Sequence, residues 1–260
     1  MADLKLTFLG TGTSVGIPVV GCDCETCTSE DPHDRRLRAS VLVELPQAKV
    51  LVDCGPDLRQ QCLNAGITEL DAVLITHPHA DHVTGFDDLR RFTVGAEDSI
   101  PVFARQSCLE VLERMFFYAF NGENRYVGYL KPEPRPVGGP FEFGGARIHP
   151  LAVDHGKVEC VGYLFEVGGR KVLAYIPDCK RIQEEAMEAL EGVECLVVDA
   201  LRGEPHPTHM SFDESLDVAR ELEPRETWFT HIAHEVLHAR EGARLPEGVQ
   251  IAYDGLVLSP

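Results

Sequence analysis

The sequence predicts a mixed α/β (α+β) domain of two β-sheets with helices outside, and three observations carry that expectation. Short apolar runs of strand length recur at residues 4–9, 40–45, 49–52, 72–75, 102–104, 147–153, 161–167, 171–176, 195–198, 227–230 and 250–252. Apolar residues at helical spacing fill residues 57–65, 86–92, 106–119, 182–190 and 211–222; in the last, Phe212, Leu216, Ala219 and Leu222 share one face. Early strand runs come as adjacent pairs, as in an antiparallel meander, whereas later ones alternate with helices. That mixture fits two packed sheets covered by helices.

The whole chain, residues 1–260, reads as one domain. It lacks a Ser/Gly linker, and its densest Pro/Gly stretch, residues 131–140, reads as a surface loop. No run approaches the roughly 18 apolar residues of a membrane helix. Residues 1–10 read as a first strand rather than a secretory leader, so a cytoplasmic protein is expected. Forty-two acids against 24 bases leave a net charge of −18. Such a surface disfavours long nucleic acid, which calls for basic patches, but not a small anion held by metal.

Asp53, His77, Asp178, Asp199 and His231 each follow an apolar strand-like run closely, and loops at strand ends are where α/β scaffolds carry chemistry. The densest signal is His77-Pro78-His79-Ala80-Asp81-His82. Alternate residues of an extended segment point the same way, so His77 and His79 can reach one metal. A turn at Ala80 lets Asp81 and His82 serve a second one. A polar turn explains one histidine well, but explains four ligand-type side chains in six residues poorly. His155, Asp178 and His231 offer the further ligands that two divalent ions, zinc or manganese, need.

With these residues in place, the sequence resembles the metallo-β-lactamase superfamily, whose H-x-H-x-D-H motif His77 to His82 matches in full. The likeness runs from Gly10-Thr11-Gly12-Thr13 to the C-terminal strands and implies an αββα sandwich. It further implies that His77, His79 and His155 hold one ion, that Asp81, His82 and His231 hold the other, and that Asp178 bridges them. His209 matches the position proposed in the family to protonate the leaving alkoxide. Asp53 is a candidate for orienting a metal-bound histidine, and Asp199 is another.

Nine cysteines in a chain of this type suggest thiols or metal ligands rather than disulfides. Cys22, Cys24 and Cys27 crowd into six residues and offer three thiolates, one short of a closed zinc site. Within the superfamily, this loop (residues 21–28) resembles that of the phosphodiesterases of bacterial phosphonate breakdown, which open a cyclic ribose phosphate. Their pattern of Gly-Cys-x-Cys-x-x-Cys plus a histidine three residues after the last metal ligand is matched by Gly21 to Cys27 and His234. The resemblance thus implies a structural zinc on Cys22, Cys24, Cys27 and His234, with His238 a rival fourth ligand, and it implies a homodimer. The implied activity is hydrolysis of small cyclic phosphodiesters by a metal-bridging hydroxide. A tRNA 3′-processing endonuclease of the same superfamily and a non-catalytic zinc-stabilised binding protein are the alternatives. Arg35, Arg36, Arg38, Lys180 and Arg202 lie near enough in sequence to bind phosphate, and none is singled out.

Overall fold

The computed structural model describes residues 4–95, 98–123 and 126–260. The first sheet contains β1 (Lys5–Gly10), β2 (Ser40–Leu45), β3 (Ala48–Val52), β4 (Ala72–Leu74), β5 (Ile100–Ala104) and β6 (Pro132–Pro136). The second contains β7 (Phe141–Phe143), β8 (Ala146–His155), β9 (Val158–Val167), β10 (Arg170–Ile176), β11 (Arg181–Ile182), β12 (Cys195–Asp199), β13 (Glu226–Thr230) and β14 (Val249–Ile251). A last strand, β15 (Val257–Leu258), returns to the edge of the first sheet beside β1. The helices are α1 (Leu58–Ala65), α2 (Ala80–Val83), α3 (Gln106–Met115), α4 (Phe117–Phe120), α5 (Glu184–Leu190), α6 (Phe212–Leu222) and α7 (His238–Gly242), with 3-10 turns at Pro32–Asp34 and Phe86–Phe92.

Strand order is β15-β1-β2-β3-β4-β5-β6 in one sheet and β11-β8-β9-β10-β12-β13-β14 in the other, with β7 also on β8. Each sheet is antiparallel where strands follow one another through short turns, as in β1–β3 and β8–β10. Each becomes parallel where a longer crossover intervenes, as in β3–β6 and β10–β14. The meander and the alternating pattern therefore occur in both sheets rather than dividing the chain in two.

Leu6, Phe8, Val43, Tyr163, Phe165 and Trp228 pack between the sheets. Leu58, Phe86 and Leu112 lie under the helices of the first sheet, and Ala186, Leu190 and Phe212 under those of the second. Both sheets are thus buried on both faces, which makes the four-layer αββα sandwich of the metallo-β-lactamase fold. Helix α6 starts at a capping box in which the Ser211 hydroxyl accepts the Glu214 N–H and Glu214 accepts the Ser211 N–H.

Two expectations need correction. Residues 131–140 contain strand β6 rather than only loop. Its prolines fall at 132, 134 and 136, while Lys131 and Val137, in the other phase, bond to β5. The absent N–H groups thus all face away from the partner, which an edge strand tolerates. The helix expected over 106–119 breaks at Phe116, whose ring turns in against Phe86 at 5.0 Å.

Candidate metal centre

Strand direction assembles this site. β8 and β10 both run antiparallel to β9, and β10, β12 and β13 are mutually parallel. His155, Asp178, Asp199 and His231 therefore emerge at one edge of the second sheet. In the first sheet, parallel β3 and β4 end beside each other and deliver Asp53 and His77. Cross-sheet bonds hold the two edges together: the Val161 N–H donates to the Thr76 carbonyl at 3.1 Å and the Tyr163 hydroxyl to the Ile75 carbonyl at 2.8 Å. Ligands in open α/β sheets bind at such carboxyl-terminal strand ends.

His77 and His79 lie on extended chain, the turn of helix begins at Ala80, and Asp81 and His82 ride on α2. His77 Nε2 lies 2.9 Å from His79 Nδ1, and His155 Nε2 lies 3.3 Å from the same atom. These three nitrogens form one group that could hold a metal; Asp81, His82, Asp178 and His231 form a second. Asp178 sits between them, with Oδ1 at 3.2 Å from His82 Nε2 and Oδ2 at 3.4 Å from His231, 3.8 Å from His155 and 3.9 Å from His77. His82 Nε2, Asp178 Oδ1 and both His231 ring nitrogens are buried without a hydrogen bond. Orphaned polar atoms within these donor sets fit divalent cations, which replace the lost hydrogen bonds.

The charges fit as well. Burial holds the His77, His79 and His155 imidazoles below their ordinary value, and hence neutral with a free lone pair. Burial opposes ionisation of Asp81, but His231 and His82 outweigh it and keep the carboxyl well below its usual range. At His82 burial also opposes charge, yet Asp178 and Asp53 push the imidazole well up. A pocket that draws positive charge so strongly suits a cation.

A buried frame orients the donors. Asp53 accepts the Thr76 N–H, the Thr76 hydroxyl and His82 Nδ1–H, each at 2.8 Å, which leaves His82 Nε2 facing the centre. Likewise His155 Nδ1–H donates to the Thr208 carbonyl at 2.9 Å. Asp53 and His231 both have left-handed backbones, with φ of 64° and 58°. That conformation is costly outside glycine; the third non-glycine instance among the described residues, Glu223, ends α6 as its C-cap. Gly55 has no room for a side chain, because a Cβ would stand 1.9 Å from the Asp81 carbonyl oxygen. The turn bearing Asp53 can therefore press directly on α2.

Asp199 takes a different partner from the one expected. Instead of steadying a metal-group histidine, its Oδ2 accepts His209 Nδ1–H at 2.7 Å and the Cys179 N–H at 2.8 Å. The His209 ring stacks on His231 with centroids 4.7 Å apart. Burial disfavours charge on either partner, lowering the His209 imidazole and raising the Asp199 carboxyl. The strand-end position of Asp199 was legible in the sequence; its pairing with His209, ten residues on, was not.

Beside this centre, Cys22, Cys24 and Cys27 approach His234 Nδ1 at 3.4, 3.4 and 3.7 Å. A tetrahedral zinc with ordinary Zn–S and Zn–N bonds separates such atoms by about 3.6 Å. The Cys27 N–H donates to Cys24 Sγ, and this lowers the Cys24 thiol to about 6. His238 is placed elsewhere: its Nδ1 accepts Arg36 Nη2–H at 3.0 Å, and its ring stacks on His33. The nine cysteines form no disulfide, and Cys54, Cys108, Cys160, Cys179 and Cys195 are buried thiols.

The cleft over the metal groups measures about 340 Å³, and its wall includes Ser14, Lys157, Thr208 and His209. Most of the basic residues considered for phosphate are committed elsewhere. Arg36 is buried and holds Thr11 at 2.7 Å, Arg38 pairs with Asp57 at 3.1 Å, Lys180 with Glu214 at 2.5 Å, and Arg202 with Glu235. Lys157 had no motif to mark it. A larger hollow of about 670 Å³ lies between α1 and the Phe86–Phe92 turn, lined by other residues.

The family model described as a β-lactamase superfamily domain matches residues 48–232. The chain is 41% identical to a protein whose crystal structure is described as a new diphosphatase from the PhnP family, with a TM-score of 0.89 over 98% of this chain and 96% of that one. Zinc-bound PqqB from Methylobacterium extorquens shares the fold, at TM-score 0.81 and 21% identity over 98% of this chain and 100% of that one. An octanoyltransferase of Porphyromonas gingivalis is 36% identical over 263 residues, covering 97% of this chain. The chain spans only 51% of that relative's length.

Proposed function

The chain belongs to the β-lactamase superfamily, and from that premise we propose that it is a metal-dependent phosphodiesterase acting on small cyclic phosphodiesters such as a phosphoribosyl 1,2-cyclic phosphate. The observation that carries this reading is the pairing of two adjoining donor groups, bridged by Asp178, with the His209–Asp199 couple beside them. His77, His79 and His155 are assigned to one ion and Asp81, His82 and His231 to the other, each zinc or manganese. When bound, such a pair supplies a water acidified to a pKa of about 7 and neutralises charge on phosphorus.

The chain's own residues do the rest. Asp53 and the Thr208 carbonyl fix which ring nitrogens face the centre. Asp199, accepting from His209 Nδ1–H, turns Nε2 of that ring towards the cleft, where a proton on it can pass to the leaving alkoxide. Cys22, Cys24, Cys27 and His234 are assigned to a structural zinc that ties the loop of residues 21–28 to the chain just after His231. The kinship with a PhnP-family diphosphatase supports hydrolysis at phosphorus.

The test is a substrate panel with zinc or manganese, set beside metal analysis. About three ions per chain and turnover of cyclic ribose phosphodiesters are expected. Faster cleavage of precursor tRNA, or a single ion with no hydrolysis, would overturn the reading.

A further inference from the structure

We propose that Arg36 is a positioning residue: its buried guanidinium fixes the first loop, residues 10–14, against the exit of β13 and so holds His231 where a metal can reach it. The inference rests on the two-metal reading of the centre and deepens it. Among the described residues Arg36 is the largest fully buried side chain. Burial lowers its guanidinium to about 10, against the pull of Asp254, Asp34 and Asp31, so the group is charged at neutral pH. An apolar side chain of similar volume would fill such a place at less cost. What a guanidinium adds is direction, because its donors form a rigid fork. Here the fork ties three segments: Nη1–H groups donate to the Thr11 hydroxyl at 2.7 Å and the Ala252 carbonyl at 2.5 Å, and Nη2–H to His238 Nδ1 at 3.0 Å. The Thr11 hydroxyl in turn donates to Asp254 Oδ1 at 2.7 Å, and Asp254 Oδ2 accepts the Leu37 N–H at 2.7 Å.

The loop held in this way grips the chain just past His231. The Ile232 N–H donates to the Thr11 carbonyl at 2.8 Å, and the Thr13 N–H donates to the Ile232 carbonyl at 3.3 Å. Between them Gly12 packs on Arg36 itself, since a Cβ there would stand 2.9 Å from the Arg36 Cβ. Both polar groups of Ile232 are thus taken by the loop. A left-handed residue such as His231, the one before it, persists only where its neighbours over-determine it. Histidines of the other metal group are held elsewhere: His77 Nδ1 lies 3.0 Å from the Thr76 hydroxyl, and His155 Nδ1–H donates to the Thr208 carbonyl. Loss of the Arg36 fork should therefore be felt at His231 and not at His77 or His155.

The experiment compares wild type with Arg36→Met, Arg36→Lys and Thr11→Val, the last removing only the hydroxyl that joins Arg36 to Asp254. Amide hydrogen exchange of the metal-free protein is the first readout. Exchange at Ile232 and Thr13 should rise at least about tenfold in all three variants, while the cross-sheet Val161 amide should change less than about twofold. The second readout is stepwise titration of the open centre with cobalt(II), the steps being identified by their loss in His231→Gln and His77→Gln. The His231 step should weaken roughly 10- to 100-fold and the His77 step less than about threefold. Arg36→Lys should behave as Arg36→Met does, because charge without the fork does not position the loop. Should Arg36→Met fail to fold, Thr11→Val carries both readouts. Unchanged exchange at Ile232, equal weakening of both metal steps, or full rescue by lysine would overturn the proposal. A single cobalt step in wild type would instead overturn the two-metal reading, and exchange at Ile232 would still decide the role of Arg36.

Discussion

The centre around His77 and the cysteine cluster around Cys22 are both metal-fitting groups, yet they are built in opposite ways. The first gathers residues from α2 and from the ends of strands in both sheets, and buried neighbours such as Asp53 and the Thr208 carbonyl aim them. One side of it opens on a cleft. The second closes four donor atoms of one loop and one strand exit upon themselves, and its sulfur–nitrogen distances suit a tetrahedral zinc. Closed sites hold structure, and open ones leave room for chemistry. Three of the four donors of the closed site come from one short motif, whereas the open centre also needs donors from the ends of three strands.

Substitutions should separate the two. Asp178→Ala removes the carboxylate between both metal groups, and bis(p-nitrophenyl) phosphate hydrolysis should fall by at least about a thousandfold, the scale of losing metal-assisted catalysis. Circular dichroism should show the fold retained; an unchanged rate would end the two-metal reading. Next in size is His209→Gln, expected to cost roughly 10²–10³ in kcat where the leaving group is an alkoxide. The cost should be much smaller with p-nitrophenolate, which leaves without a proton, and equal losses on both would deny His209 its acid role. Asp53→Asn should weaken binding of metal at the open centre about 10- to 100-fold by competitive chelator titration while leaving the cysteine-loop ion in place. Loss of both ions together would mean that the centres are not separable.

Acid should act on the closed site. A thiol must lose its proton to bind zinc, and the Cys27 N–H holds that of Cys24 at about 6. As pH falls through that value the thiol regains its proton, so zinc retention should drop between neutral pH and pH 5, read with a chromogenic chelator. The smallest effect is expected for His238→Gln, which should leave the zinc content unchanged, since that ring faces Arg36 rather than the thiols.

The residues of both groups were legible as side-chain types in a pattern. His77 to His82 carry their own spacing, and Cys22 to Cys27 carry theirs, because each lies within one turn or loop. The two-sheet fold was also legible, since strand periodicity is a local property. Strand β6 was not: three prolines in five residues look like a breaker until the sheet edge shows that their missing donors face outward. Nor could the sequence choose between His234 and His238, four residues apart, because the choice turns on where Arg36 lies.

What the sequence determined by itself is therefore the donor inventory and the order of strands that deliver it. Only the tertiary structure decided which donors meet, because convergence depends on strand direction across two sheets. It paired Asp199 with His209 rather than with a metal-group histidine, and it committed Arg36, Arg38, Lys180 and Arg202 to partners. Lys157 stayed invisible to pattern reading for the same reason. A lone lysine in a turn acquires meaning only when the fold sets it above a cleft.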